Sequence, residues 1–237
     1  MVRETVLTAI TAGLIAAIVF TLVQSLWVTP LILQGETYED AAEAAAPHVE
    51  PTGSNTDHHH DEGAWKPQDG VERTLFTFAA NLLMGVGYAF VLVALYLLWR
   101  EPRSALSGAA YGVAGFVVFF AAPGLGLPPE LPGTAAAELT ARQEWWVLTA
   151  AATAAGLLLF FSAPRWWART LALAIIAAPH LIPAPQPAIP ASLAPEALQG
   201  QFRLASTFCN ALFWLSLGIT SSVVFRKLVS ATTHARG

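Results

Sequence analysis

This sequence is poor in charge. Asp, Glu, Lys and Arg make up 12% of its 237 residues, against about 25% in an ordinary soluble domain. There is one cysteine, Cys209, which excludes a disulfide framework. Basic residues number 12 against 16 acidic ones, for a formal net charge of −4, so no basic surface suits a nucleic acid. The pattern Gly-x-x-x-x-Gly-Lys-Ser/Thr is missing, which excludes ATP binding through a P-loop. His-Glu-x-x-His, Gly-x-Ser-x-Gly and Cys-x-x-Cys are missing too. With no nucleophile–base set visible, the chain reads as a non-enzyme.

What fills the chain instead is apolar. Hydrophobic residues make up 55%, and mean hydropathy is +0.53. A water-soluble globule of this size cannot hide that much apolar surface, so the reading is an all-α, polytopic transmembrane helical bundle. Six stretches suit a bilayer crossing: 5–33, 75–98, 105–122, 145–161, 168–182 and 206–225. The fifth is the shortest, and Pro179 and the prolines from Pro183 onward follow it. The expectation is therefore about six spans, or five if 168–182 does not cross. The whole of 1–237 reads as a single membrane domain. Arg3 before an apolar run fits the start of a secretory signal. The run is too long for one and no small-x-small cleavage site follows Leu33, so it reads as a retained helix.

Six spans place eight basic residues on one side: Arg3, Arg100, Arg103, Arg165, Arg169, Arg226, Lys227 and Arg236. Four lie on the other: Lys66, Arg73, Arg142 and Arg203. The positive-inside rule then puts both termini in the cytoplasm. Fourteen of the sixteen carboxylates fall outside, which makes the outer surface attractive to cations. Trp99, Trp166 and Trp167 at inner span ends, and Trp27, Trp145 and Trp146 at outer ones, fit the headgroup level. Gly108 and Gly112 form a Gly-x-x-x-Gly face, with Gly115 one turn on, as close helix packing requires.

Candidate chemistry lies in the outer loops. Residues 34–71 form an acidic, histidine-bearing loop with ten carboxylates, counting Glu72 at its border. Within it run His58, His59, His60, Asp61 and Glu62, side chains of the kinds that gather Co2+, Ni2+ or Zn2+. Adjacent residues do not converge on one ion with fixed geometry, and the alternative is a solvated polar loop. The second outer loop is apolar but rich in proline, and Glu130 is its sole charge. Non-helical backbone at membrane depth survives where it is buried in protein or lines a cavity. Glu130 is thus either a cation ligand or an ordinary exposed carboxylate. His180 closes the fifth stretch, as a ligand or as an interfacial histidine satisfied by a carbonyl. Arg142 reads as a structural ion-pair partner, and Glu72 with Arg73 as an interfacial pair. Gln24, Asn81 and Asn210 either line a polar path or bridge helices.

These segments together resemble CbtA, a family of predicted cobalt transporter subunits. The resemblance is carried by Pro30-Leu31-Ile32-Leu33-Gln34 with Glu36 and Tyr38, and by Asp69-Gly70-Val71-Glu72-Arg73-Thr74-Leu75 leading to Asn81. It is also carried by Ala122-Pro123-Gly124-Leu125-Gly126-Leu127-Pro128-Pro129-Glu130-Leu131-Pro132-Gly133, by Arg142-Gln143 with Trp145-Trp146, and by Ala178-Pro179-His180-Leu181-Ile182. It implies a membrane protein of about five spans that takes up cobalt, accompanied by a small single-span partner with a histidine-rich tail. Glu130, His180, Glu72 and Arg142 fall in the matching motifs.

The expectation is a membrane subunit of a transporter for a divalent transition metal, cobalt foremost, with Ni2+ or Zn2+ as alternatives. Its first binding site is expected at Glu130 and His180, fed by His58–His60, Asp61 and Glu62. A path by Gln24, Glu72, Asn81, Arg142 and Asn210 follows. Partners are the lipid bilayer and the histidine-rich protein; a homo-oligomer is compatible. The rival reading is a non-transporting scaffold or assembly subunit that docks a partner protein.

Overall fold

The computed structural model describes residues 2–45 and 67–234, the side chains of 230–234 excepted. Six helices carry the described residues: α1 (Val2–Ala45), α2 (Val71–Leu98), α3 (Ala105–Phe116), α4 (Leu139–Ser162), α5 (Trp166–Ala177) and α6 (Glu196–His234). Five are long and apolar enough to cross a membrane: α1, α2, α3 with its continuation to Gly124, α4 and α6. The chain is an all-α polytopic bundle.

Two helix endings show how proline shapes the path. Pro123 has no N–H to give, so α3 cannot keep its i to i−4 ladder there. The chain loosens into a π-helical turn, Val117–Ala121, and the N–H of Ala122 reaches back to the carbonyl of Val117. After α5, Pro179 does the opposite and the chain tightens into a 3₁₀ turn, Ala178–Leu181.

That tightening bears on the shortest stretch. α5 and its 3₁₀ turn together rise about 26 Å. They run antiparallel along α4, with Gly156 against Ala172 and Ile176. The Trp145 indole donates to the carbonyl of Ile182 at 3.2 Å. The return leg thus climbs from Ser162 back to the level of Trp145, near the start of α4. One departure from expectation lies in α1. It continues as helix through residues 34–45, so the segment read as a loop begins only after Ala45.

α1, α2, α3 and α6 form the body. Lipid tails are as apolar as leucine, so helices associate in a bilayer by close packing and hydrogen bonds. Glycines provide the closeness. A Cβ on Gly112 would lie 2.3 Å from the carbonyl oxygen of Trp214, and one on Gly108 would lie 2.4 Å from Cβ of Ser222. The Gly-x-x-x-Gly face therefore seats α3 on α6. Gly13 and Gly85 do the same for α1 and α2, where a Cβ on Gly13 would lie 2.6 Å from the backbone nitrogen of Val86. Aromatic rings fill the middle. Phe119 stacks on Trp214 at 5.5 Å, Tyr88 meets Trp214 at 4.7 Å, and Phe20 meets Phe213 at 5.1 Å.

The bundle has two unlike ends. One holds Trp99, Arg100, Arg103, Arg165 and Arg169, and is the arginine-rich end. The other holds the segments 125–138 and 182–195, and is the proline-rich end.

Candidate functional site at the proline-rich end

The segments 125–138 and 182–195 are too rich in proline to be helical. Their backbone polar groups must still find partners, and they find one another. Ala135 N–H donates to Ala191 O at 2.9 Å, and Leu193 N–H to Gly133 O at 3.2 Å. These bonds flank an antiparallel bridge between Thr134 and Ser192. Gly133 turns the chain into it with φ +73°, a conformation that side chains disfavour.

Gln199 of α6 locks the bridge. It is 1% exposed. Its Nε2 donates to Thr134 Oγ1 at 2.7 Å and to Ser192 Oγ at 3.0 Å. Its Oε1 accepts from Leu131 N–H at 3.3 Å. One side chain therefore ties both segments to a helix. Two further contacts hold the first segment: Leu131 packs on Gly35 of α1, and Gly126 lies against the ring of Trp145. Nothing in the sequence singled out Gln199; one polar residue in the first turn of a helix carries no motif.

Beside this frame is a cavity of about 1030 Å³. Phe119, Phe120, Pro128 and Trp146 supply apolar wall, and Glu130, Arg142 and Gln143 supply its polar groups. Glu130 and Arg142 face each other at 3.8 Å, with side chains 31% and 34% exposed. That distance is an ion pair but exceeds a hydrogen bond. Both partners reach the site from fixed places, Glu130 next to the anchored Leu131, Arg142 in the first turn of α4. The N-cap of α4 is Glu138, whose carboxylate accepts from the N–H groups of Thr140 and Ala141 at 2.8 and 2.7 Å. Those two bonds hold its pKa below the usual carboxylate value.

His180 packs edge-on against Trp145, with ring centroids 5.9 Å apart. Trp145 thus touches both the segment that carries Glu130 and the turn that carries His180. His180 itself does not line the cavity. Among the described residues, no three His, Cys, Asp or Glu side chains gather closely enough to hold one metal ion. His58, His59, His60, Asp61 and Glu62 lie outside the described residues.

The candidate path residues divide. Asn81 is 7% exposed. Its amide donates to Thr21 Oγ1 at 3.0 Å and to Gln24 Oε1 at 2.9 Å, joining α2 to α1. Asn210 donates to Ser206 O in its own helix and makes no such bridge. Arg73 does not take Glu72 as its partner. Its guanidinium forks onto Glu36 at 3.1 and 3.2 Å and reaches Asp69 at 3.0 Å. Glu72 instead accepts from Gln68 N–H at 3.2 Å. The reason is helical geometry: consecutive side chains point away from each other, while residues four apart share a face. The Arg73–Glu36 pair clips the extension of α1 to the start of α2.

A family model described as "Probable cobalt transporter subunit (CbtA)" matches residues 2–226. The chain belongs to the CbtA family. No curated protein and no solved structure matches it. The match takes in the frame, the cavity, the first five helices and α6 as far as residue 226. Transporter subunits work with other proteins in a membrane.

Proposed function

We propose that this chain is the membrane subunit that admits a divalent metal ion, Co2+ by the family description, from the extracytoplasmic side. The observation that carries this reading is Glu130. It lies at a roomy cavity, faces Arg142 at 3.8 Å, and keeps about a third of its side chain exposed. Arg142 acts there as a tethered cation. A dipositive ion binds Glu130 by displacing it, so the carboxylate is never left unpaired against an apolar wall. His180, one aromatic ring away, supplies the imidazole of a second step. His58–His60, Asp61 and Glu62 raise the ion's concentration nearby, and Gln24 and Asn81 mark the polar step beneath. In this reading Asn210 and Glu72 support helices. Nickel and zinc find no support in the family description. The proline-rich end faces outward, both termini face the cytoplasm of a bacterial inner membrane, and a small histidine-rich membrane protein delivers or receives the ion.

The test is cellular cobalt accumulation at equal protein level. Glu130→Gln is expected to lower uptake roughly tenfold at limiting cobalt, with recovery at high cobalt. His180→Ala is expected to lower it less. Unchanged uptake in both variants removes the site. The scaffold reading has one observation in its favour: Asn81, Thr21 and Gln24 satisfy one another between helices, as structural polar groups do. It expects purified protein to bind no stoichiometric cobalt.

A further inference from the structure

The arginine-rich half of the bundle contains an apolar crevice of about 180 Å³. Leu92 and Leu95 of α2 and Tyr111 of α3 line one wall, and Leu157 and Leu158 of α4 line the other. It exists because, helix to helix, α4 packs on the body chiefly through residues 117–124. Away from that contact the helices part. At the far end one hydrogen bond rejoins them, from the Trp99 indole to Ser162 Oγ at 3.0 Å.

The mouth of the crevice is basic. The ring of Trp99 lines the crevice, and the Arg100 guanidinium lies 5.3 Å over that ring. Arg103 follows in the same short connection, where the exposed Glu101 is the one carboxylate, and Arg165 follows Ser162. All three arginines are exposed, and among the described residues no carboxylate pairs with any of them. Charge at the other end is treated differently: Arg73, Arg142 and Arg203 are each paired with a carboxylate.

We propose that this crevice and its arginine mouth bind one anionic phospholipid. An acyl chain lies between α2 and α4, and the phosphate rests among Arg100, Arg103 and Arg165. Apolar walls at membrane depth suit a hydrocarbon chain, and unpaired arginines at headgroup level suit a phosphate. A volume of about 180 Å³ takes part of one acyl chain, the rest lying in the bilayer, and has no room for a partner helix, which is about 10 Å across. The site is independent of the metal reading.

The full chain is placed in nanodiscs of equal phosphatidylglycerol and phosphatidylcholine, then extracted, and the retained lipid is counted by native mass spectrometry. One phosphatidylglycerol is expected to stay in preference to phosphatidylcholine. Arg100→Gln and Arg165→Gln are each expected to cut its retention about fivefold. Leu158→Trp, which fills the crevice, is expected to abolish retention with the arginines intact. Should that variant not fold, the exposed arginine variants decide alone. Equal retention of both lipids, or unchanged retention in the arginine variants, overturns the proposal. So does a photo-crosslinker at position 158 that captures a polypeptide instead of a lipid.

Discussion

The two ends of this bundle solve one problem in different ways. At the proline-rich end the connections cannot be helices, yet their backbone must be satisfied. The solution is a fixed frame: a short antiparallel bridge, a buried glutamine across it, and arginines each tied to a carboxylate. At the arginine-rich end the connections are short and close no comparable frame. Trp99 meets Ser162, Tyr111 O–H donates to Arg100 O at 2.6 Å, and several arginines stay open to solvent. The difference teaches where geometry is set. On the proposed reading, a carboxylate that meets an ion at a defined place belongs on the framed end, and the other end meets only headgroups, which are fluid.

Removing the frame is the most severe way to break this contrast. Gln199→Met keeps the side chain's length and deletes all three hydrogen bonds. It leaves the buried Leu131 N–H and the half-buried Thr134 hydroxyl without their partner, while the exposed Ser192 hydroxyl keeps its bond to Ala194 O. Each such loss costs about 1 kcal/mol, more where a group is left orphaned, so roughly 3 kcal/mol is expected. Unfolding in detergent measures it. Gln199→Glu retains an acceptor for Leu131 and is expected to lose less. If Gln199→Met unfolds like the parent, the frame is not what holds this end.

One substitution made at both ends sharpens the comparison. Trp145→Phe removes the bond to Ile182 O from a residue 6% exposed. Trp99→Phe removes the bond to the exposed Ser162 hydroxyl. Water can replace the Trp99 partner, whereas Trp145→Phe also trims a buried ring out of its packing. The expected losses are about 1–2 kcal/mol at the framed end and under about 0.5 kcal/mol at the open one. Equal losses would mean that the two ends are equally tight.

How much of this was legible in the residues varies by kind of interaction. The helices were legible because a bilayer demands long apolar runs, and the Gly108 and Gly112 face because small residues four apart let backbones approach closely. That Arg142 would be ion-paired was legible, but not that its partner would be Glu130. The partner of Arg73 did not follow, because adjacency in sequence is not adjacency on a helix, and Glu36 lies across a different helix. The helical extension of α1 to Ala45 was missed because its polar residues resemble a loop once the apolar run ends. Gln199 was invisible for a deeper reason. Its role depends on where two irregular segments fold, and nothing local encodes that.

The smallest expected effect lies at the start of α4, which carries Arg142 into the cavity. Glu138 is fully exposed, and its pKa is lowered by the N–H groups of Ala141 and Thr140. A carboxylate whose folded pKa is depressed stabilises the fold in its ionised form. The contribution is complete above the ordinary carboxylate value, 4.5, and is lost as pH falls through the lower folded value. Protection of the Thr140 and Ala141 amides from hydrogen exchange, relative to their intrinsic rates, should therefore fall on acidification below that point. In Glu138→Gln the side chain keeps an oxygen acceptor but cannot titrate. Its protection should start lower and stay flat over the same range. A parallel decline in both proteins would place the acid-sensitive step elsewhere and leave the first turn of α4, with Arg142, held by something other than its cap.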